Sequence, residues 1–190
     1  MVSSRETAAS LFGAWRLARL DPSGIAWFNA TEAGFWHSFF AAVICAPAYA
    51  LVVALDYAQM PVDASDARII SVHAIAYVIN WTAFPLAMSW ATRLLDREYL
   101  YVRYIVAFNW AKVLETLLFV PAKALAVIGI PWLTALPGLT ALVVFCYQWY
   151  VARTALEISG SHAVAVIGLD LALDIALMMA LAMLLPDLPI

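Results

Sequence analysis

Five long apolar runs alternate with short polar stretches along this chain. They cover residues 35–55, 69–90, 104–128, 132–152 and 162–185. Each approaches or exceeds the roughly 20 helical residues needed to cross a hydrocarbon core about 30 Å thick. A barrel strand would instead alternate over about ten residues. In lipid every backbone N–H and C=O must be satisfied within the protein, so continuous apolar runs of this length read as helices. The pattern predicts an all-α membrane protein, with five transmembrane helices in one bundle over residues 35–185. Residues 1–34 form a cytoplasmic amphipathic segment, and 186–190 a short external tail. Pro47, Pro85, Pro121 and Pro137 fall within or near the runs, where membrane helices tolerate proline as a kink. Pro121 leaves open an earlier end to the third run, followed by a short re-entrant piece.

The first 34 residues follow a different pattern. Ala8, Leu11, Trp15 and Ala18 recur at helical spacing and share one face, with Arg5, Arg16 and Arg19 on an adjacent one and Phe12 among the arginines. An apolar stripe with a basic flank suits an interfacial helix on an anionic leaflet, with Arg5, Trp15, Arg16 and Arg19 at the membrane surface. The same segment could instead cap the bundle. Asp21-Pro22-Ser23-Gly24 reads as the turn that follows it. The apolar run nearest the N-terminus begins only at Phe35, so it is expected to act as an uncleaved signal anchor.

Composition agrees with the pattern. The 190 residues are 66% hydrophobic and 12% charged, about half the charge of a soluble domain. Mean hydropathy is +0.90. A net charge of -3 offers no basic field for nucleic acid. Cys45 and Cys146 lie in apolar runs without a CxxC pattern, so neither a disulfide framework nor a metal site is indicated.

Basic residues orient the bundle. Arg5, Arg16, Arg19, Arg93, Arg97, Arg103 and Arg153 fall on one side, against Arg68 and Lys123 on the other. The expected placement is an inner membrane, multi-pass, with the N-terminus cytoplasmic and the C-terminus outside. The outer loop carries Asp56, Asp63 and Asp66, which contribute little to orientation.

Four ionisable residues sit inside the runs: Lys112, Glu115, Asp170 and Asp174. Each would cost roughly 2.5–3.5 kcal/mol near a bilayer centre if unpaired. The third and fifth runs cross in the same direction, so depth can be counted at about 1.5 Å per residue. Lys112 and Asp170 both fall roughly 12 Å deep, and Glu115 and Asp174 near 17 Å. Two depth-matched layers are predicted, with Lys112 paired to Asp170. Asn109 continues the side of the third run that carries Lys112 and Glu115. One lysine cannot neutralise three carboxylates, so at least one of Glu115 and Asp174 is expected to hold a proton near neutral pH. Asn80 and Gln148 are the next polar residues, suited to interhelical hydrogen bonding. His37 and His162 fall near the inner interface and His73 near the outer one.

No HExxH, Walker A, GxGxxG or CxxC motif occurs. Ser159-Gly160-Ser161-His162 sets serine beside histidine, but a triad is a matter of spatial geometry. No enzyme and no cofactor are indicated.

The five-span layout, the stretch 101–115 (YVRYIVAFNWAKVLE) and the passage 152–177 (ARTALEISGSHAVAVIGLDLALDIAL) resemble the Yip-domain family of small polytopic membrane proteins, in its bacterial form. The resemblance implies a membrane-organising or trafficking role. The acidic-leucine-tyrosine-glycine-proline motif of the eukaryotic members is missing, since Asp21-Pro22-Ser23-Gly24 does not match it, and small-GTPase binding is not implied. The leading expectation is a non-enzymatic membrane-organising, assembly or trafficking-like protein. Its partners would be the lipid bilayer and other membrane proteins or a second copy. The rival is a small proton-coupled transporter or channel subunit using Glu115, Asp170 and Asp174 as carriers and Lys112 as counter-charge. A polar cavity for a lipid headgroup or small solute, and a buried polar knot fixing helix register, are further readings of the same four residues.

Overall fold

The computed structural model describes residues 2–57 and 65–184. Asp63 and the tail expected at 186–190 lie outside the described residues, as does the expected end of the fifth run at 185. Among the described residues the regular elements are helical. They are α1 (Ser4–Ala18), α2 (Glu32–Ser38), α3 (Phe40–Tyr57), α4 (Asp66–Leu94), α5 (Tyr101–Ala126), α6 (Leu136–Leu156) and α7 (Gly160–Leu184). Short 3-10 segments at Pro22–Trp27 and Glu98–Leu100 precede α2 and α5. Among the described residues five stretches are long and apolar enough to cross a membrane: Glu32–Tyr57, Asp66–Leu94, Glu98–Ala126, Leu136–Leu156 and Gly160–Leu184.

Local chemistry fixes the helix ends. Ser3, Thr31 and Ser65 are N-caps whose hydroxyls accept from Glu6 N, Gly34 N and Arg68 N, satisfying donors that the first turn leaves free. The α6 C-terminus stops at Glu157 in the left-handed region, φ 53°. There the Arg103 guanidinium of α5 donates to Ala155 O and to Glu157 Oε1, both at 2.8 Å. One side chain thus satisfies a carbonyl left over at the helix end and ties α5 to the C-terminus of α6.

The first apolar run is not one straight helix. It breaks at Phe39, between α2 and α3. Ser38 Oγ donates to Phe35 O at 2.7 Å and accepts from Asn109 Nδ2 at 2.9 Å. The break is therefore held by a side chain from α5. The third run does continue past Pro121, which lies inside α5.

α5 is the central helix, packed against α1, α2, α3 and α6. α6 packs on α7, and α7 on α4. α3 and α4 are joined mainly through side chains. Tyr77 OH donates to Ala42 O at 2.6 Å, and the Tyr49 and Tyr77 rings lie 4.8 Å apart. The five spans therefore form a ring in the order α3, α5, α6, α7, α4.

The dense core occupies one half of this ring. Met88, Tyr104, Ile105, Trp110, Val151 and Leu156 are among its fully buried side chains. All belong to the ends of α4, α5 and α6 nearest α1. Toward the other end large residues face outward, including Leu117, Leu139, Leu142 and Met183. Such outward apolar residues suit lipid contact.

α1 packs on this dense end, but not through the stripe that its pattern emphasises. Ser10, Gly13, Ala14 and Leu17 are buried, whereas Ala8, Trp15 and Ala18 are exposed and Leu11 is half-buried. The reason is close approach to Pro22–Trp27. A Cβ added at Gly13 would sit 2.8 Å from Gly24 O, and one at Gly24 would sit 3.0 Å from Leu17 Cγ. Only small residues fit that seam.

Candidate functional site

The intramembrane charges share one cavity of about 500 Å³, to which all five spans contribute walls. Lys112, Glu115, Asp170, Asp174, Asn80 and Gln148 all line it. They lie at its floor, where the dense core ends. Beyond them the walls are apolar and aromatic: Tyr49, Tyr77, Phe119, Phe145 and Leu181.

Each floor residue is placed by its helix. Lys112 and Glu115 lie one turn apart on α5, and Asp170 and Asp174 one turn apart on α7, so each pair projects from one side. Lys112 Nζ stands 3.7 Å from Asp170 Oδ2 and 4.7 Å from the Phe108 ring centroid. The ion pair predicted from depth is present. The second layer is arranged differently. Glu115 Oε2 accepts from Gln148 Nε2 of α6 at 2.9 Å, and Asp174 Oδ1 accepts from Asn80 Nδ2 of α4 at 2.7 Å. Both carboxylates take an amide from a third helix.

These bonds leave an imbalance. Glu115 Oε1 and Gln148 Oε1 are buried and have no hydrogen-bond partner. Both are acceptors when Glu115 is ionised. Buried polar atoms without partners are uncommon, and each needs a physical account.

Asn109 stands apart from this group. Its amide reaches Ser38 at the break between α2 and α3, and it does not line the cavity. Of the expected surface set, Arg5, Trp15 and Arg19 are exposed. Arg16 is half-buried, and its guanidinium bridges to Asp21 Oδ2 at 2.5 Å. Asp21 also accepts from Ser23 Oγ and Ser23 N. The Ser23 hydroxyl first, then Arg16, hold the Asp21 carboxyl below its ordinary range.

The histidines separate as their positions suggest. His37 Nδ1 lies 2.9 Å from Glu6 Oε2, and His162 Nδ1 lies 3.1 Å from Ser159 Oγ. His73 takes part in an arrangement that the linear pattern does not reveal. Its Nδ1 meets Tyr49 OH at 3.0 Å and its Nε2 meets Tyr57 OH at 3.1 Å. A neutral imidazole donates from one nitrogen and accepts at the other, so the two tyrosines take opposite roles. Tyr49 then lines the cavity. The spacing of Tyr49 and Tyr57 over two turns of α3 was the signal available, since it places both on one side of the helix.

No family model, no curated protein and no solved structure matches the chain.

Proposed function

We propose that this protein is a non-enzymatic membrane protein that holds a small solute inside its bundle and exchanges protons with it: a small proton-coupled transporter or a channel subunit. Glu115, Asp170 and Asp174 are the carriers, and Lys112 is the fixed counter-charge. The observation that carries this reading is the cavity of about 500 Å³ with all four ionisable residues at its floor. A register-fixing polar knot needs no room beside it, whereas a carrier needs a chamber that reaches its carboxylates. The distribution of arginine and lysine supports an inner-membrane setting with α1 cytoplasmic, so that the cavity would face the outer half of the bilayer.

The test is proton movement in proteoliposomes loaded with a pH-sensitive dye. An imposed pH gradient should drive dye-reported flux above that of empty liposomes, and Asp174→Asn should abolish it without changing the unfolding temperature. Equal flux in the variant and the wild type would sink the reading.

The membrane-organising reading draws support from another region. The outward face of α1 presents Arg5, Phe12, Trp15 and Arg19 together. An aromatic and basic face of this kind suits an anionic membrane surface. Its test is binding of a peptide of residues 1–30 to phosphatidylglycerol vesicles. Absence of binding at low salt would remove the support.

A further inference from the structure

We infer that the cavity takes an organic cation, an ammonium group bearing N–H donors on an apolar body. The inference rests on the solute-binding reading above and adds the class of solute.

The charges at the floor give the first argument. One lysine faces three carboxylates, and the lysine is already engaged by Asp170 and the Phe108 ring. Glu115 and Asp174 have neutral amides as their partners. A cationic ligand would reduce the remaining negative charge, whereas an anionic one would add to it.

Hydrogen bonding gives a second, independent argument. The amide donors of Asn80 and Gln148 are directed at Asp174 and Glu115. Among the described residues that line the cavity, Glu115 Oε1 and Gln148 Oε1 are buried without partners, on residues only 9% and 5% exposed. A phosphate or carboxylate ligand would bring further acceptors to a site whose Asn80, Gln148 and Lys112 donors already face its own carboxylates. A primary ammonium brings three N–H groups and no acceptor.

The walls indicate the rest of the molecule. Tyr49, Tyr77 and Trp81 line the cavity near the floor, and aromatic faces attract cations. Phe119 and Leu181 continue the lining away from it. The volume lies within the roughly 300–1,000 Å³ of small-molecule sites. Such an ammonium could come from a free amine or from the headgroup of an ethanolamine lipid, since both present the same N–H donors.

The experiment uses the full chain in phosphatidylcholine nanodiscs, whose headgroup lacks N–H. Binding of 4-phenylbutylammonium and of its anionic counterpart 5-phenylpentanoate is measured by equilibrium dialysis, with empty nanodiscs subtracted. Saturable binding of the ammonium at least about tenfold tighter than the carboxylate is expected, as one charge-assisted hydrogen bond would provide. Equal or weaker binding of the ammonium overturns the inference, and this comparison needs no variant. Glu115→Gln combined with Asp174→Asn should weaken ammonium binding by a further factor of about ten or more; unchanged ammonium binding in that folded variant also overturns it. Repeating the measurement with phosphatidylethanolamine in the nanodisc separates the sources. Competition supports the lipid headgroup, and its absence supports a free amine; either supports the ammonium class. Loss of proton flux in Asp174→Asn without an ammonium preference in the wild type would remove this inference alone. Ammonium binding without proton flux would remove the coupled-transport reading and leave the ligand class standing.

Discussion

Lys112 of α5 and Asp170 of α7 face each other across the floor of the cavity, 3.7 Å apart. Helices α5 and α7 make little close backbone contact, so the long Lys112 side chain spans the gap to the short Asp170. Breaking a buried pair from one side leaves a charge without compensation. Lys112→Met should lower stability by about 3–5 kcal/mol, and Lys112→Met with Asp170→Leu by clearly less. Reversible unfolding in mixed micelles measures both. Equal losses in the single and double variants would refute the pairing as an energetic unit.

The amide partners should be worth less. Asn80→Leu removes the donor to Asp174, and Gln148→Leu removes the donor to Glu115. Interhelical hydrogen bonds in membranes contribute about 0.6–2 kcal/mol. Each variant is expected to lose about that amount, measured in the same unfolding assay. A loss above that of Lys112→Met would reverse the ranking of the two layers.

At the seam between α1 and Pro22–Trp27, Gly13→Ala sets a methyl group against Gly24 O and Trp27 Cβ. Overpacking of this kind costs about 1–3 kcal/mol. Hydrogen exchange should accelerate across α1 while the α5 amides stay protected. Unchanged exchange in α1 would show that the seam can open without cost.

Acid should loosen the same region. The Asp21 carboxyl is held below its ordinary range by Ser23 and Arg16. A carboxylate depressed in the folded state contributes stability above its unfolded value, near pH 4, and loses it as pH falls through the lower folded value. Exchange at the Ser23 and Gly24 amides should therefore rise below about pH 4 in the wild type. In Asp21→Asn it should already be raised at pH 7 and show no such step. A step at the same pH in the variant would assign it to another group.

His73 offers a test of the joint between α3 and α4. His73→Phe keeps a ring but removes both tyrosine hydrogen bonds. Tyr49→Phe and Tyr57→Phe each remove one. Thermal unfolding in nanodiscs should rank His73→Phe as the most damaging of the three. Tyr57→Phe as the worst would place the hydrogen bonding of that joint elsewhere.

Much of this site follows from position along the chain. Helical rise alone brought Lys112 level with Asp170, because depth depends only on sequence position once the spans are known. The same count set Glu115 level with Asp174, yet their partners are Gln148 and Asn80. Depth carries no information about helix rotation or about which helix stands between two others. Asn109 shares a side with Lys112 by spacing, but it lies a turn nearer the dense core, where Ser38 at the break after α2 takes its amide. That break was not legible because Phe39 continues an apolar run. In α1 the large residues drew attention to an outward face, while the packed face is made of Ser10, Gly13, Ala14 and Leu17. The cavity walls were equally hidden, since Tyr49, Tyr77 and Phe119 have the same character whether they face lipid or an interior space.

The dense core ends at the level of Lys112, and beyond it the helices enclose space instead of one another. The two halves of the bundle must therefore differ in compressibility. Lateral pressure from the surrounding acyl chains acts on both, but only the hollow half has volume to give up. In a bilayer of higher lateral pressure the cavity would be the first part of the bundle to narrow, with no change required at the charged residues.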